Sequence, residues 1–172
     1  MPHPAAPVPA PSAPSAALPA LASTAASFQV SPEQLRELHL LWSRVQPGAW
    51  RTLALVPADA QGSGLEVGTG LVQAARLFGA AAALQLVDAR GLAVQQAAEL
   101  TAQLAARVAA GERVLVVADS PLANPATLAL MQVADAALLC AQRGMDLARA
   151  QQTLQLCGRE RFLGSVLLPA PR

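Results

Sequence analysis

The sequence predicts an α/β fold: a mainly parallel sheet of about five strands with helices on both faces, preceded by a Pro/Ala-rich tail. Short apolar runs recur along the chain, at Leu53 to Val56, Ala83 to Val87, Val114 to Ala118, Ala136 to Ala141 and Ser165 to Leu168. Ala/Leu-rich stretches long enough for a helix separate them, among them Leu92 to Ala110, so the pattern is a βα repeat. The runs are apolar on both sides, as strands covered on both faces must be, and parallel neighbours need a helical crossover between them. With 172 residues, 53% of them hydrophobic, the chain has room for one domain with a packed core.

Residues 1–27 are almost entirely Pro, Ala and Ser. Such a composition buries too little surface to offset the entropy of ordering, so the tail is expected to be a disordered linker. Pro11-Ser12-Ala13-Pro14 is a bare P-x-x-P without a flanking basic residue, a weak match to a ligand for a partner groove. The domain is expected over 28–172, with order beginning at Ser31. There Ser31-Pro32-Glu33-Gln34 forms a capping box with Pro at the first helical position, and Val30 can staple onto Leu35. The helix over 31–45 carries Leu35, Leu38, Leu41, Trp42 and Val45 as one apolar stripe, and Gln46-Pro47-Gly48 ends it.

Charge names no partner. Twelve basic residues, all Arg, balance eleven acidic ones for a net charge of +1, which leaves no basic stripe for nucleic acid or anionic lipid. Cys140 and Cys157 lie in apolar periodic segments and are expected to be core residues in a reducing cytoplasm. His3 and His39 have no ligand-like neighbours, so no metal cluster is expected. Pro interrupts the apolar start and no window suits a bilayer span, so neither a signal peptide nor direct membrane insertion is expected.

In a sheet of this kind ligands bind beyond the carboxyl ends of the strands. Those ends carry Pro57 to Gly64, Asp88 to Gly91 and Asp119 to Asn124. The first has the place and the glycines of a phosphate cradle. A working cradle adds a Lys for the β/γ-phosphates and a Ser/Thr hydroxyl for Mg²⁺, but Gly62 and Gly64 are followed by Leu65, Glu66 and Val67. Glu66 opens a helix, where the macrodipole and free N–H groups favour a carboxylate as they favour phosphate. It is therefore expected to plug the anion site from within.

The three segments, in this order on successive strands, resemble the deviant P-loop ATPases of the ParA/MinD class. They resemble more closely the bacterial tyrosine autokinases of polysaccharide export, over about residues 31–169. Asp88-Ala89-Arg90 is similar to the family's Asp-x-Asp, with Arg at the second acid. Asp119-Ser120-Pro121-Leu122 is similar to its Asp-Thr-Pro-Pro, with the second Pro lost. Asp135 opening a strand, Arg143-Gly144-Met145-Asp146 and Gly164-Ser165-Val166-Leu167 extend the likeness. On the first helix, Glu33-x-x-Arg36-x-x-His39 matches two of three positions of the Glu-x-x-Arg-x-x-Arg pattern those proteins use for subunit contacts. The resemblance therefore implies self-association through Glu33, Arg36 and His39.

The departures decide the chemistry expected. Without Lys, charge developing between β- and γ-phosphates lacks its main side-chain counter-charge. The chain has no Tyr at all, so nothing is present for an autokinase to phosphorylate. The interval from Asp88 to Asp119 also lacks the longer insert of the relatives. The expectation is a pseudo-enzyme with no catalytic residues and no cofactor. It would be cytoplasmic, drawn to the inner membrane by a protein partner, which the resemblance implies is a polysaccharide co-polymerase or an active ATPase paralogue. Two alternatives stay open. One is a working ATPase that binds Mg-ATP through Asp88 and Asp119 with a basic residue supplied by a partner. The other is an NAD-binding module, because Gly62-x-Gly64-x-x-x-Gly68 with Asp88 further on approximates a dinucleotide fingerprint.

Overall fold

The computed structural model describes residues 32–79 and 84–169. The expected tail, the Ser31 cap, the Val30 staple and Ala83 lie outside the described residues. Helix α1 (Pro32–Val45) leads into β1 (Thr52–Pro57), α2 (Leu65–Leu77), β2 (Leu84–Asp88), α3 (Val94–Ala109) and β3 (Arg113–Val117). Then follow α4 (Ala126–Val133), β4 (Ala136–Gln142), α5 (Leu147–Cys157), a 3-10 turn (Arg159–Arg161) and β5 (Phe162–Leu168). The strands form one sheet in the order β2-β3-β1-β4-β5, and every pairing is parallel.

Alternation along the strands divides the core into two layers. Leu53 and Leu55 of β1, Leu115 and Val117 of β3, and Leu138 and Cys140 of β4 pack with Trp42 and Val45 of α1 and with Val67, Leu71, Ala74 and Ala75 of α2. On the other face, Val114 and Val116 meet Ala97, Leu100 and Leu104 of α3 and Ala126 and Leu130 of α4. Ala54, Val56 and Ala137 meet Met131 and Cys157 there, and Leu139 meets Ala150 of α5. Gly68 brings α2 onto the sheet: a Cβ there would lie 2.9 Å from Leu86 and 3.0 Å from Leu55. The distribution of helices follows from right-handed crossovers. The chain moves one way from β1 to β2 and the other way at every later step, so α2 lies on one face and α3, α4 and α5 on the opposite one.

Polar side chains fasten the amino-terminal edge of the sheet. The Trp50 indole N–H donates to the Val45 carbonyl at 2.8 Å. The Arg113 guanidinium stacks 3.7 Å above the Trp50 ring and donates to the carbonyls of Gln46 and Gly48 at 3.1 and 3.2 Å. It thus supplies a cation and donors to the carbonyl end of α1. Asp135 accepts the backbone N–H groups of Arg51 and Thr52 at 2.7 and 2.8 Å, which fixes where β1 begins beside β4.

Candidate functional site

Strand order places the β2, β3 and β1 loops side by side at the carboxyl edge, and β1 is where connections to the two faces part. This is the crevice in which open α/β sheets bind ligands. The β1 loop stays tied to its neighbours at first: Ala58 donates its N–H to Cys140 at 2.9 Å and its carbonyl accepts the Thr153 hydroxyl at 3.0 Å. A tight turn follows, in which Gly62 donates to the Asp59 carbonyl at 3.3 Å and Gln61 to the Asp59 carboxylate at 3.0 Å. Ser63 Oγ then accepts the N–H of Leu65 at 3.2 Å as α2 begins.

The turn lacks the left-handed glycine of an anion-binding nest. Among the described residues the glycines with positive φ are Gly79, Gly91, Gly111, Gly144 and Gly158, so neither Gly62 nor Gly64 adopts the left-handed conformation that makes an anion-binding nest. Gly64 is needed for contact instead: a Cβ there would stand 2.9 Å from Leu55 Cβ and 3.4 Å from Cys140 Sγ. It seats the start of α2 directly on β1 and β4. Leu65, at the position of the absent Lys, is half-buried and packs against the layer under α1 and α2, and Val67 is fully buried. The expected Glu66 plug is not formed, because Glu66 is exposed and no hydrogen bond or ion pair holds it to a described residue. At the first turn of a helix, solvation of the carboxylate competes with any turn inward.

The two acidic residues are both engaged. Asp88, at the end of β2, receives the Arg90 guanidinium in a two-pronged pair, Nε at 2.8 Å and Nη2 at 2.7 Å, and accepts the Arg90 N–H at 3.2 Å. These bonds from Arg90 hold the Asp88 carboxyl below its ordinary range against the opposing effect of partial burial. They also raise the Arg90 pKa, with a smaller attraction from Asp119. Asp119 Oδ2 accepts the Gly91 N–H at 2.7 Å and the Asn124 amide at 2.9 Å. Asn124 also donates to the Leu92 carbonyl at 3.0 Å and accepts the N–H of Ala126, the first residue of α4, at 3.0 Å. The Thr127 hydroxyl closes the corner on the Asp119 carbonyl at 3.0 Å. Asp119 and Asn124 therefore staple the β2 loop to the β3 loop.

Gly62, Gly64, Leu65, Glu66, Asp88 and Asp119 thus share one edge, whereas Glu33, Arg36 and His39 do not. Glu33 and Arg36 are exposed on α1. His39 turns toward the end of α2, meeting the Phe78 ring edge-on with centroids 5.6 Å apart, and its Nε2 is buried without a hydrogen bond. An outward face made of all three residues is therefore not present on this protomer.

Asn124 closes the segment Asp119 to Asn124 that the sequence marks at the sheet edge, but the sequence gives it no role of its own. Its signal was available as Asn-Pro before a helical stretch containing Thr127, a frequent turn arrangement. Among the described residues there is no group of three or more His, Cys, Asp or Glu that could hold a metal ion. No described helix is long and apolar enough to cross a membrane. Set against known protein families and curated proteins, the chain matches none.

Proposed function

We propose that this chain is a non-catalytic interaction module related to the P-loop tyrosine autokinases and ParA/MinD ATPases. Its nucleotide edge has been rebuilt as structure. The observation that carries the reading is the engagement of Asp119: Oδ2 is already shared between Gly91 N–H and the Asn124 amide, so the carboxylate serves as a staple between two loops and Oδ1 alone is left for a Mg²⁺ ion. The Arg90 clamp on Asp88, the close seating of Gly64 and the inward packing of Leu65 support the same reading.

On this reading the module acts in the cytoplasm by binding a protein, either a polysaccharide co-polymerase at the inner membrane or an active ATPase paralogue. The setting rests on the resemblance alone. One observation favours a working ATPase instead: Asp88 and Asp119 stand at the ends of neighbouring strands, with Asp88 in register with Val117. An NAD-binding module is less well supported, because the acid it would use for the ribose is held by Arg90.

The test is ATP turnover by the purified chain, alone and mixed with a candidate partner. The module predicts no turnover from this chain and partner binding that survives Asp119→Ala in folded protein. Turnover that Asp119→Ala abolishes would establish the ATPase.

A further inference from the structure

Strand β5 is one of the two edges of the sheet, β2 being the other, and among the described residues it pairs with β4 alone. Edge strands in monomers are commonly guarded by Lys, Pro or inward charges. From Phe162 to Leu168 this strand reads Phe-Leu-Gly-Ser-Val-Leu-Leu, without a charge or a Pro. Leu163 is 54% exposed and Leu167 63%, and Leu147 on the neighbouring helix α5 is 70% exposed. Beside the strand, on the α5 face, runs an apolar groove of about 500 Å³ lined by Leu139, Ala141, Met145, Leu147, Leu154 and Leu167.

We infer that this edge takes a second copy of the same chain, the two β5 strands pairing antiparallel about a two-fold axis to give one continuous sheet. The sequence of the strand selects this occupant. A register shift breaks the pairing with β4 near Ala137 and Leu138, leaving Gly164–Leu168 regular. That stretch is centred on Val166. An axis through Val166 sets Ser165 opposite Leu167 of the second copy and Gly164 opposite its Leu168. Small residues at one end of the stretch thus meet large ones at the other, and the strand is complementary to itself.

Charge agrees. The one charged side chain lining the groove is Arg159, which lies before the strand and away from the axis, so the two copies of it stand at opposite ends of the pair. In this arrangement the two α5 helices flank the joined strands and the exposed Leu147 and Leu167 side chains meet across them. Nucleotide binding plays no part, so the inference stands or falls separately from the proposed function.

Sedimentation of the full chain tests it. A particle of twice the 17.6 kDa chain mass is expected, with dimer affinity falling at least tenfold in Leu167→Lys and in Ser165→Lys. Both positions are exposed, and circular dichroism establishes that each variant is folded. The double variant Ser165→Lys/Leu167→Glu places opposite charges across the axis and is expected to dimerise again in low salt. A chain that sediments as a monomer, or a dimer untouched by both single variants, overturns the inference. A double variant that stays monomeric overturns the register.

Discussion

Asp119 carries the local argument, because one carboxylate oxygen serves two donors on two different segments. Removing it leaves the Gly91 N–H and the Asn124 amide without their acceptor. Asp119→Ala is therefore expected to lower stability by about 1–3 kcal/mol in denaturant unfolding. Asp119→Asn, which retains one acceptor oxygen, should cost less. The Asp88–Arg90 pair behaves differently. Its side chains are 24% and 38% exposed, so solvent screens it and Arg90→Ala should cost under about 1 kcal/mol at neutral pH. Its pH dependence has a definite sign. Because the Asp88 pKa is held below its ordinary value of 3.8, the pair's contribution is complete above that value and is lost as pH falls below it. Stability measured against pH should show Arg90→Ala and the unmodified protein converging in strong acid. The sequence displayed both aspartates, but not what they bond to. Arg90 is two residues from Asp88, whereas Asn124 and Gly91 reach Asp119 only once β2 and β3 are neighbours.

At the level of the elements, the strands were the most legible part because each is a compact apolar run. β1, β3 and β4 fall within a residue or so of their expected limits. β5 begins earlier than the Ser165 start, because Phe162 and Gly164 pair with Ala137 and Leu138 across a register shift that apolar spacing does not mark. The limits of α1 follow the expected 31–45 helix, whose carboxyl end also has the Arg113 and Trp50 fastening that no local pattern announces. Arg113→Ala removes the donors to Gln46 and Gly48 and the ring contact. It should loosen α1, read as faster proteolysis or amide exchange in 32–45 with slower change in the sheet strands. The β1 loop is where sequence reading was least complete. Gly62 and Gly64 were legible as a turn, but whether a glycine turn cradles phosphate depends on its φ angles and on what lies beneath it. Gly64→Ala tests the contact role: a methyl group 2.9 Å from Leu55 Cβ should cost about 1–3 kcal/mol in a thermal or denaturant melt.

Across the whole molecule, the parallel sheet with helices on both faces follows from buried strands joined by crossovers. The strand order does not, since apolar runs say that strands pair but not with whom. That order brings the β2, β3 and β1 loops together and leaves β2 and β5 at the two edges. Nucleotide binding at the carboxyl edge is open to one experiment, because a ligand that binds only the folded state must raise its melting temperature. The direct measurement is the thermal melt of the full chain with Mg-ATP or Mg-ADP, and with NAD as a control. At about a hundred times its Kd, a nucleotide would add roughly 2.7 kcal/mol, a rise of about 5–10 °C for a chain of this size. A non-catalytic module with no nucleotide site has the same melting temperature under all conditions. A rise of that order with Mg-ATP would contradict that reading by showing that the edge still binds nucleotide, and a rise with NAD alone would place the chain among dinucleotide-binding folds instead.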